Sequence, residues 1–448
     1  MTERIAPLNL EFHPHLPVHV HFDAPNISSD GGALLLRLID DRLGLSALFA
    51  DALPDERDPT KIQHSRLEQV RQRLYQIALG YEDCNDATSL RRDPLLLTVC
   101  DRTPEDPLGL SSQPTLSRLE NAPKGAALRK LMLGFEQAWV DSLPEDTTVV
   151  ILDIDTTDDP VHGHQQLAFF HGHYDQHMLH PLLLFDGVTG ELIAARLRPG
   201  NAHSSRGATL LLRSVIRALK KRFPTVQIVV RGDSGFCVPR ILDALEALNS
   251  EYGEVDYVLG LAKNSALLRL AEPAMTEAAD RYKDTHQHVR MFTGFEYAAK
   301  GWPHPRWVIA KAEHDAKGAN PRFVVTSLKG FAPNTIYDGY CERGQAENFI
   351  KDFKNAIHAD RLSCTQFTAN FFRLMLHGAA YRLMYALRRS AGQVRAELGR
   401  VQMDTLRLSL LKVAAIVVQS VRRILVKLPE VFPLAQLFEK LALRAAPS

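Results

Sequence analysis

The run "TTVVILDIDTT" at residues 147–157 decides how the middle of this chain is read. It is almost wholly β-branched and apolar, a composition that favours an extended strand over a helix. It ends in Asp153 and Asp155. An uncompensated carboxylate near a core is costly, so acids at a strand end require a reason. Downstream, "HPLLLFDGVTGELIAARLRPGN" (180–201) reads as two strands and a Gly-containing turn, and "SSRGATLLLRSVIRALKKRF" (204–223) as an amphipathic helix. "VQIVVRGDSGF" (226–236) is a second short strand ending in an acid, Asp233, followed by the helix "VPRILDALEALNSEY" (238–252) and the strand "VDYVLGLA" (255–262). Strand, hairpin, helix, strand, helix, strand predicts a compact α/β domain on a mixed sheet.

Upstream the grammar differs. From about 33 to 143 leucines recur at three- and four-residue spacing, with Asp, Ser or Pro at the breaks, which predicts helices. Residues 1 to about 28 read as extended. Between 264 and 336 a helix is followed by the strand-like runs "RMFTGFEYAA", "RWVIAKAEHD" and "PRFVVTSL". Beyond 362 the pattern reads as helical again, including "TLRLSLLKVAAIVVQSVRRILVKL".

With 448 residues the chain exceeds one ordinary core. The formal net charge is only +1, yet from Arg361 onward 14 Lys and Arg face four Asp and Glu. That cationic third suits a polyanion or a solvated helix face. Five cysteines, never spaced C-x-x-C, argue against a zinc ribbon or disulfide framework and for a reducing compartment. No apolar run is long enough to span a bilayer and the first residues lack a signal-peptide core, so the expected location is cytoplasmic.

A further stretch, "YDGYCERGQAENFIKDFKNAI" (337–357), carries Tyr340, Arg343, Glu347 and Lys354. At about 100° per residue these four share one helical face, while Ala346, Phe349, Phe353 and Ile357 form a separate apolar stripe. One face docks on a core and the other presents one negative and two positive charges. Three carboxylates, Asp155, Asp233 and Glu347, thus stand where a sheet and a helix bring them together. The chemical reason for such a trio is a divalent cation: Mg²⁺ prefers oxygen ligands and takes one or two carboxylates plus a substrate phosphate. Taken singly, Asp155 and Asp233 also read as turn formers after strands. Asp158 and Asp159, before Pro160, read as turn residues.

Six histidines fall between His162 and His180 at irregular spacings, with no H-E-x-x-H and no cysteine partner, which disfavours zinc. Asn201 and His203 read as caps of the following helix or as groups approaching a polyanion. Trp302, in "AAKGWPHPRW", is flanked by Gly and Pro, and an exposed aromatic there suits stacking on an unpaired base. Trp307 reads as strand core.

Tyr340, Arg343, Glu347 and Lys354 match Y-x2-R-x3-E-x6-K, and the chain here resembles the bacterial insertion-sequence DDE transposases of the retroviral integrase superfamily. "DIDTT" and "VVRGDSGF" resemble that group's two Asp segments, and "GYEDCNDATSLRRDPLL" (80–96) the N-terminal part of one of its families. Alternation cannot separate Asp153 from Asp155; the resemblance favours Asp155.

The resemblance implies a multidomain α/β fold built on a ribonuclease-H-like mixed sheet. It implies a helical, DNA-end-binding region at 1–145, the first part of the catalytic domain at 146–263, a β-rich insertion at 264–336, the Glu helix at 337–362, and a basic helical region at 363–448 for DNA contact or dimerisation. It also implies a transposase that binds terminal inverted repeats, cleaves with Mg²⁺ (Mn²⁺ substituting) held by Asp155, Asp233 and Glu347, and joins 3′-hydroxyl ends to target DNA. Arg343 and Lys354 would grip phosphates, Tyr340 would bond or pack beside them, and two copies would form the synaptic complex. Two other readings share these residues: a metal-dependent nuclease that never joins ends, and an inactive DNA-binding descendant. A histidine-bound zinc hydrolase is a third.

Overall fold

A computed structural model of the chain describes residues 6–445. The extended reading of residues 1–5 and the last predicted helical residue, Ala446, lie outside the described residues. The chain divides into two compact units. The first joins Met1–Ser46, Arg57–Arg118 and Ala386–Ser448; the second joins Ala47–Glu56 and Leu119–Tyr385.

The second unit carries the mixed sheet. Its strands along the chain are β1 (Val149–Thr156), β2 (Asp159–Pro160), β3 (Phe169–His171), β4 (Gln176–Leu179), β5 (Leu182–Asp186) and β6 (Leu192–Arg196). They continue as β7 (Gln227–Gly232), β8 (Val255–Leu261), β9 (Val289–Tyr297), β10 (Arg306–Asp315), β11 (Gly318–Ala319) and β12 (Arg322–Thr326). In the nine-stranded sheet the order is β9-β10-β12-β8-β7-β1-β5-β6, with β11 on β10. Strands β1, β7 and β8 are parallel, flanked by the antiparallel hairpin β5–β6. This is the ribonuclease-H-like arrangement. The strands of segment 264–336 extend the same sheet, because β12 pairs antiparallel with β8.

Helices α1 (Gly125–Ser142), α2 (Ala208–Arg222), α3 (Pro239–Tyr252) and α4 (Ser265–Thr285) also belong to this unit, as do α5 (Pro333–Cys341) and α6 (Gln345–Lys351). Alternation along β1 decides which face they cover. Val150, Leu152 and Ile154 point into a core shared with Leu212, Val215, Ile216 and Leu219 of α2 and Ile241 and Leu245 of α3. Asp153 and Asp155 have the opposite parity and so leave β1 on the other face. There Val258, Ile309 and Val324 pack with Ile336 and Tyr337 of α5. Truncating Leu152, fully buried, to Ala costs about 2–5 kcal/mol.

In the first unit, Ser65 caps the helix Arg66–Leu79 by accepting from Glu68 N at 3.1 Å, and Asp93 caps Pro94–Val99 with Pro in the first turn. The tail departs from the helical expectation. After Met403–Leu406 and one widened turn, Ala415–Gln419 and Ile424–Lys427 form an antiparallel hairpin, and the first of them also pairs with Ile27–Ser28. The leucine spacing had suggested a helix, but Ala415 and Val417 are buried and Ile416 and Val418 exposed, the period of a strand. The segment that completes this sheet comes from the other end of the chain, beyond any local pattern. Gly32 makes that junction possible: a Cβ there would fall 2.1 Å from the Leu410 carbonyl oxygen. Among the described residues no helix is long and apolar enough to cross a membrane.

Candidate active site

Strands β1 and β7 run parallel with Gly232 opposite Ile154. The next residues, Asp233 and Asp155, therefore emerge side by side at the same end of the sheet. Asp233 ends its strand by accepting from Gly235 N at 2.9 Å, opening a short turn over Ser234–Phe236. Asp155 accepts Thr156 N at 2.8 Å on one oxygen and Arg343 Nη1 at 2.9 Å on the other. Burial pushes the Asp155 carboxyl up to about 6. Arg343 and the Thr156 amide oppose that shift, whereas the charges of Asp233 and Glu347 add to it. The three acids therefore share one electrostatic neighbourhood.

The site segment is less regular than a single helix. Helix α5 tightens over Glu342–Gly344, resumes as α6 and widens over Asp352–Ala356. Tightened and widened turns shift the angular phase in opposite senses, so the apolar stripe survives. Ala346, Phe353 and Ile357 are buried, and Phe349 packs on Phe185 with ring centroids 5.7 Å apart. Widened turns recur at functional sites, and this one holds Lys354.

Arg343, on the tightened turn, lies over the Tyr340 ring at 5.9 Å. Burial raises the Tyr340 phenol, and Arg343 opposes the shift. Glu347 is exposed. Lys354 Nζ donates to Asp158 Oδ1 at 2.7 Å, and Asp158 also accepts from Gln176 Nε2 at 2.9 Å. Asp158 is therefore the partner of the signature lysine rather than a turn residue, a link made across 196 positions and absent from any local spacing. Asp153 is bound on both oxygens by Arg231, each contact 2.7 Å, and belongs to the scaffold.

Trp302 stands apart from this group. Its ring meets Tyr297 at 5.8 Å, carries the Arg306 guanidinium at 5.0 Å and packs against the main core. Trp307, read as strand core, is 41% exposed and lies across Gly294, where a Cβ would meet it at 2.4 Å. Asn201 and His203 do not cap α2, which begins at Ala208 behind Gly207 (φ 85°); His203 Nδ1 instead accepts from Ser205 N at 3.2 Å, in the turn before the helix.

The family model for transposase DDE domain group 1 matches residues 11–448. The chain belongs to that family. No curated protein matches it. Among solved structures, a cryo-electron microscopy structure of a piggyBac transposase synaptic complex with hairpin DNA is 12% identical, with a TM-score of 0.46 over 94% of this chain and 86% of that one. The transposase is an enzyme that cuts and joins DNA, and domains of this family depend on divalent metal.

The residues present fit such an ion in kind. All three acids are hard oxygen donors, and an added cation relieves the repulsion that Asp233 and Glu347 add to the burial-driven rise at Asp155. Among the described residues no three His, Cys, Asp or Glu side chains stand close enough together to hold an ion. Arg343 occupies an oxygen of Asp155, so its ion pair must loosen before that carboxylate turns to metal.

Proposed function

We propose that this chain is the transposase of a bacterial insertion sequence, a cytoplasmic protein that works on the nucleoid. It binds the terminal inverted repeats, cleaves there, and joins the 3′-hydroxyl ends to target DNA as a homodimer. Asp155, Asp233 and Glu347 hold the divalent ions, Mg²⁺ with Mn²⁺ as substitute. Two ions in such a site activate the attacking oxygen and stabilise the leaving one. Asp155 and Asp233 present the donors from adjacent parallel strands, and Glu347 adds one from an exposed helix. Arg343 turns from Asp155 to a phosphate oxygen, and Tyr340, beneath it, fixes the guanidinium plane. Lys354 reaches the next phosphate from Asp158, and Trp302, away from the acids, stacks on an unpaired base.

The observation that carries the reading is the placement of Asp233 beside Asp155 at one strand end, with Glu347 and Arg343 in the same electrostatic neighbourhood. The test is incubation with DNA bordering this gene and Mg²⁺, wild type beside Asp233→Ala. Cleavage and end joining by wild type alone are expected. Cleavage without joining of pre-cut ends would leave the nuclease reading, and equal cleavage by Asp233→Ala would sink the acidic-site assignment.

A further inference from the structure

Helices α2 and α3 both begin at the end of the sheet that carries Asp155 and Asp233. Strand β6 runs parallel to β1, since each is antiparallel to β5, and the chain leaves it for the start of α2. Strand β7 leads through Asp233 and the turn at Ser234–Phe236 to the start of α3. The loop before α2 lies against that turn, because a Cβ on Gly235 would stand 2.9 Å from Ser204 Cβ and 3.1 Å from Asp233 Oδ1. The buried Arg198 holds the loop in shape: its Nη1 donates to Ser204 O at 2.7 Å, Arg206 O at 3.0 Å and His203 O at 3.1 Å.

Between the two helix starts opens a notch of about 420 Å³, with Ser205, Arg206, Thr209, Val238 and Arg240 on its walls and no acid among its lining residues. The helices are 15 and 14 residues long, and neither has a side-chain cap. Their first-turn amides and the positive ends of their dipoles are left for another partner. Arg206 and Arg240 are exposed, and neither guanidinium has an ion-pair partner among the described residues.

Thr209 adds an observation of a different kind. It is only 6% exposed and lines the notch, yet its hydroxyl makes no hydrogen bond among the described residues. A buried hydroxyl without a partner is costly unless something entering the notch accepts from it. Helix amides, guanidiniums and a free hydroxyl are all donors, and together they suit a tetrahedral oxyanion. A neutral occupant would leave both guanidiniums unanswered.

We propose that this notch seats one backbone phosphate of the DNA that the catalytic domain cuts, on the Asp233 side of the scissile bond. Arg206 and Arg240 hold its charge, and Thr209 donates to one of its non-bridging oxygens. This rests on the transposase reading given above.

The test measures binding of the full chain to a duplex bearing the DNA end next to the gene, across a salt series, with cleavage in Mg²⁺ beside it. Arg206→Ala combined with Arg240→Ala should weaken binding about tenfold or more and lower the slope of log affinity against log salt by about 1. Its melting temperature should match wild type. Thr209→Val should also bind about tenfold more weakly, whereas Thr209→Ser, which keeps the hydroxyl, should stay within about twofold of wild type. Single methylphosphonates placed along the duplex should include one position that weakens wild type and leaves the double variant indifferent. If wild type binds and cleaves, the inference alone is overturned by a double variant with wild-type affinity and slope, or by one still sensitive at every position. Thr209→Ser as weak as Thr209→Val, or Thr209→Val as tight as wild type, would overturn it too. A wild type that neither binds nor cleaves any duplex would take down the transposase reading and this inference with it.

Discussion

Two carboxylate–guanidinium pairs start from the same strand, two residues apart, and differ in nearly every respect that matters. Asp153 meets Arg231 through two contacts of 2.7 Å, with the side chains 0% and 4% exposed and both residues held on neighbouring parallel strands. Arg231 also donates to Gly339 O at 2.6 Å, which fastens α5 to the sheet. Asp155 meets Arg343 through one contact of 2.9 Å, at 14% and 16% exposure, with the guanidinium on a tightened helical turn. Arg231 meets Asp153 on both oxygens, whereas Arg343 meets one oxygen of Asp155, on which two further acids act. The first pair is closed on itself, whereas the second leaves charge for something else to satisfy.

The comparison breaks most sharply in activity. Asp155→Ala, Asp233→Ala and Glu347→Ala are each expected to lower end cleavage by a factor on the order of 10³ or more, since several kcal/mol of transition-state stabilisation go with the metal. Their melting temperatures should stay near wild type. If any of the three retains cleavage within tenfold, that residue is not a metal ligand.

The next largest effect belongs to the other pair. Asp153→Ala leaves Arg231 buried without its carboxylate and should cost about 3–5 kcal/mol in denaturant unfolding. A loss below about 1 kcal/mol would mean that the two pairs are not different in kind.

Acidity sharpens the contrast. The carboxyl of Asp155 is raised to about 6 by burial, so in metal-free protein its contribution favours folding below the ordinary carboxylate range and fades as pH climbs through 6. Metal needs the ionised form, and its effect runs the other way. Added Mn²⁺ should raise the melting temperature at pH 7.5, and that increment should vanish as pH falls through about 6. An increment unchanged at pH 5 would separate metal binding from Asp155.

The smallest effect lies at Lys354. Lys354→Ala should reduce the slope of log affinity against log salt by about 1, without altering preference among DNA sequences. A steep loss of sequence preference would instead make Lys354 a base reader.

Much of the candidate site is legible in the sequence. Tyr340, Arg343, Glu347 and Lys354 were recognisable by spacing, and their buried stripe by helical period. Asp233 and Asp155 were placed at strand ends by β-branched runs. What escaped were contacts made between segments far apart in the chain. Asp158 is the clearest, a residue two before Pro160 that holds Lys354. The hairpin at 415–427 was misread because apolar residues at helical spacing also fit a strand, and only pairing with Ile27 and Ser28 discriminates.

By itself the sequence determined the α/β character of the middle of the chain, the succession of its main strands and helices along the chain and which residue types end them, because alternation and helical period are local consequences of backbone geometry. Only the tertiary structure decided which acid is neutralised inside the scaffold and which is left open. That choice depends on where Arg231 and Arg343 fall in space, and charge pairing at contact distance is set by packing between segments that share no local pattern.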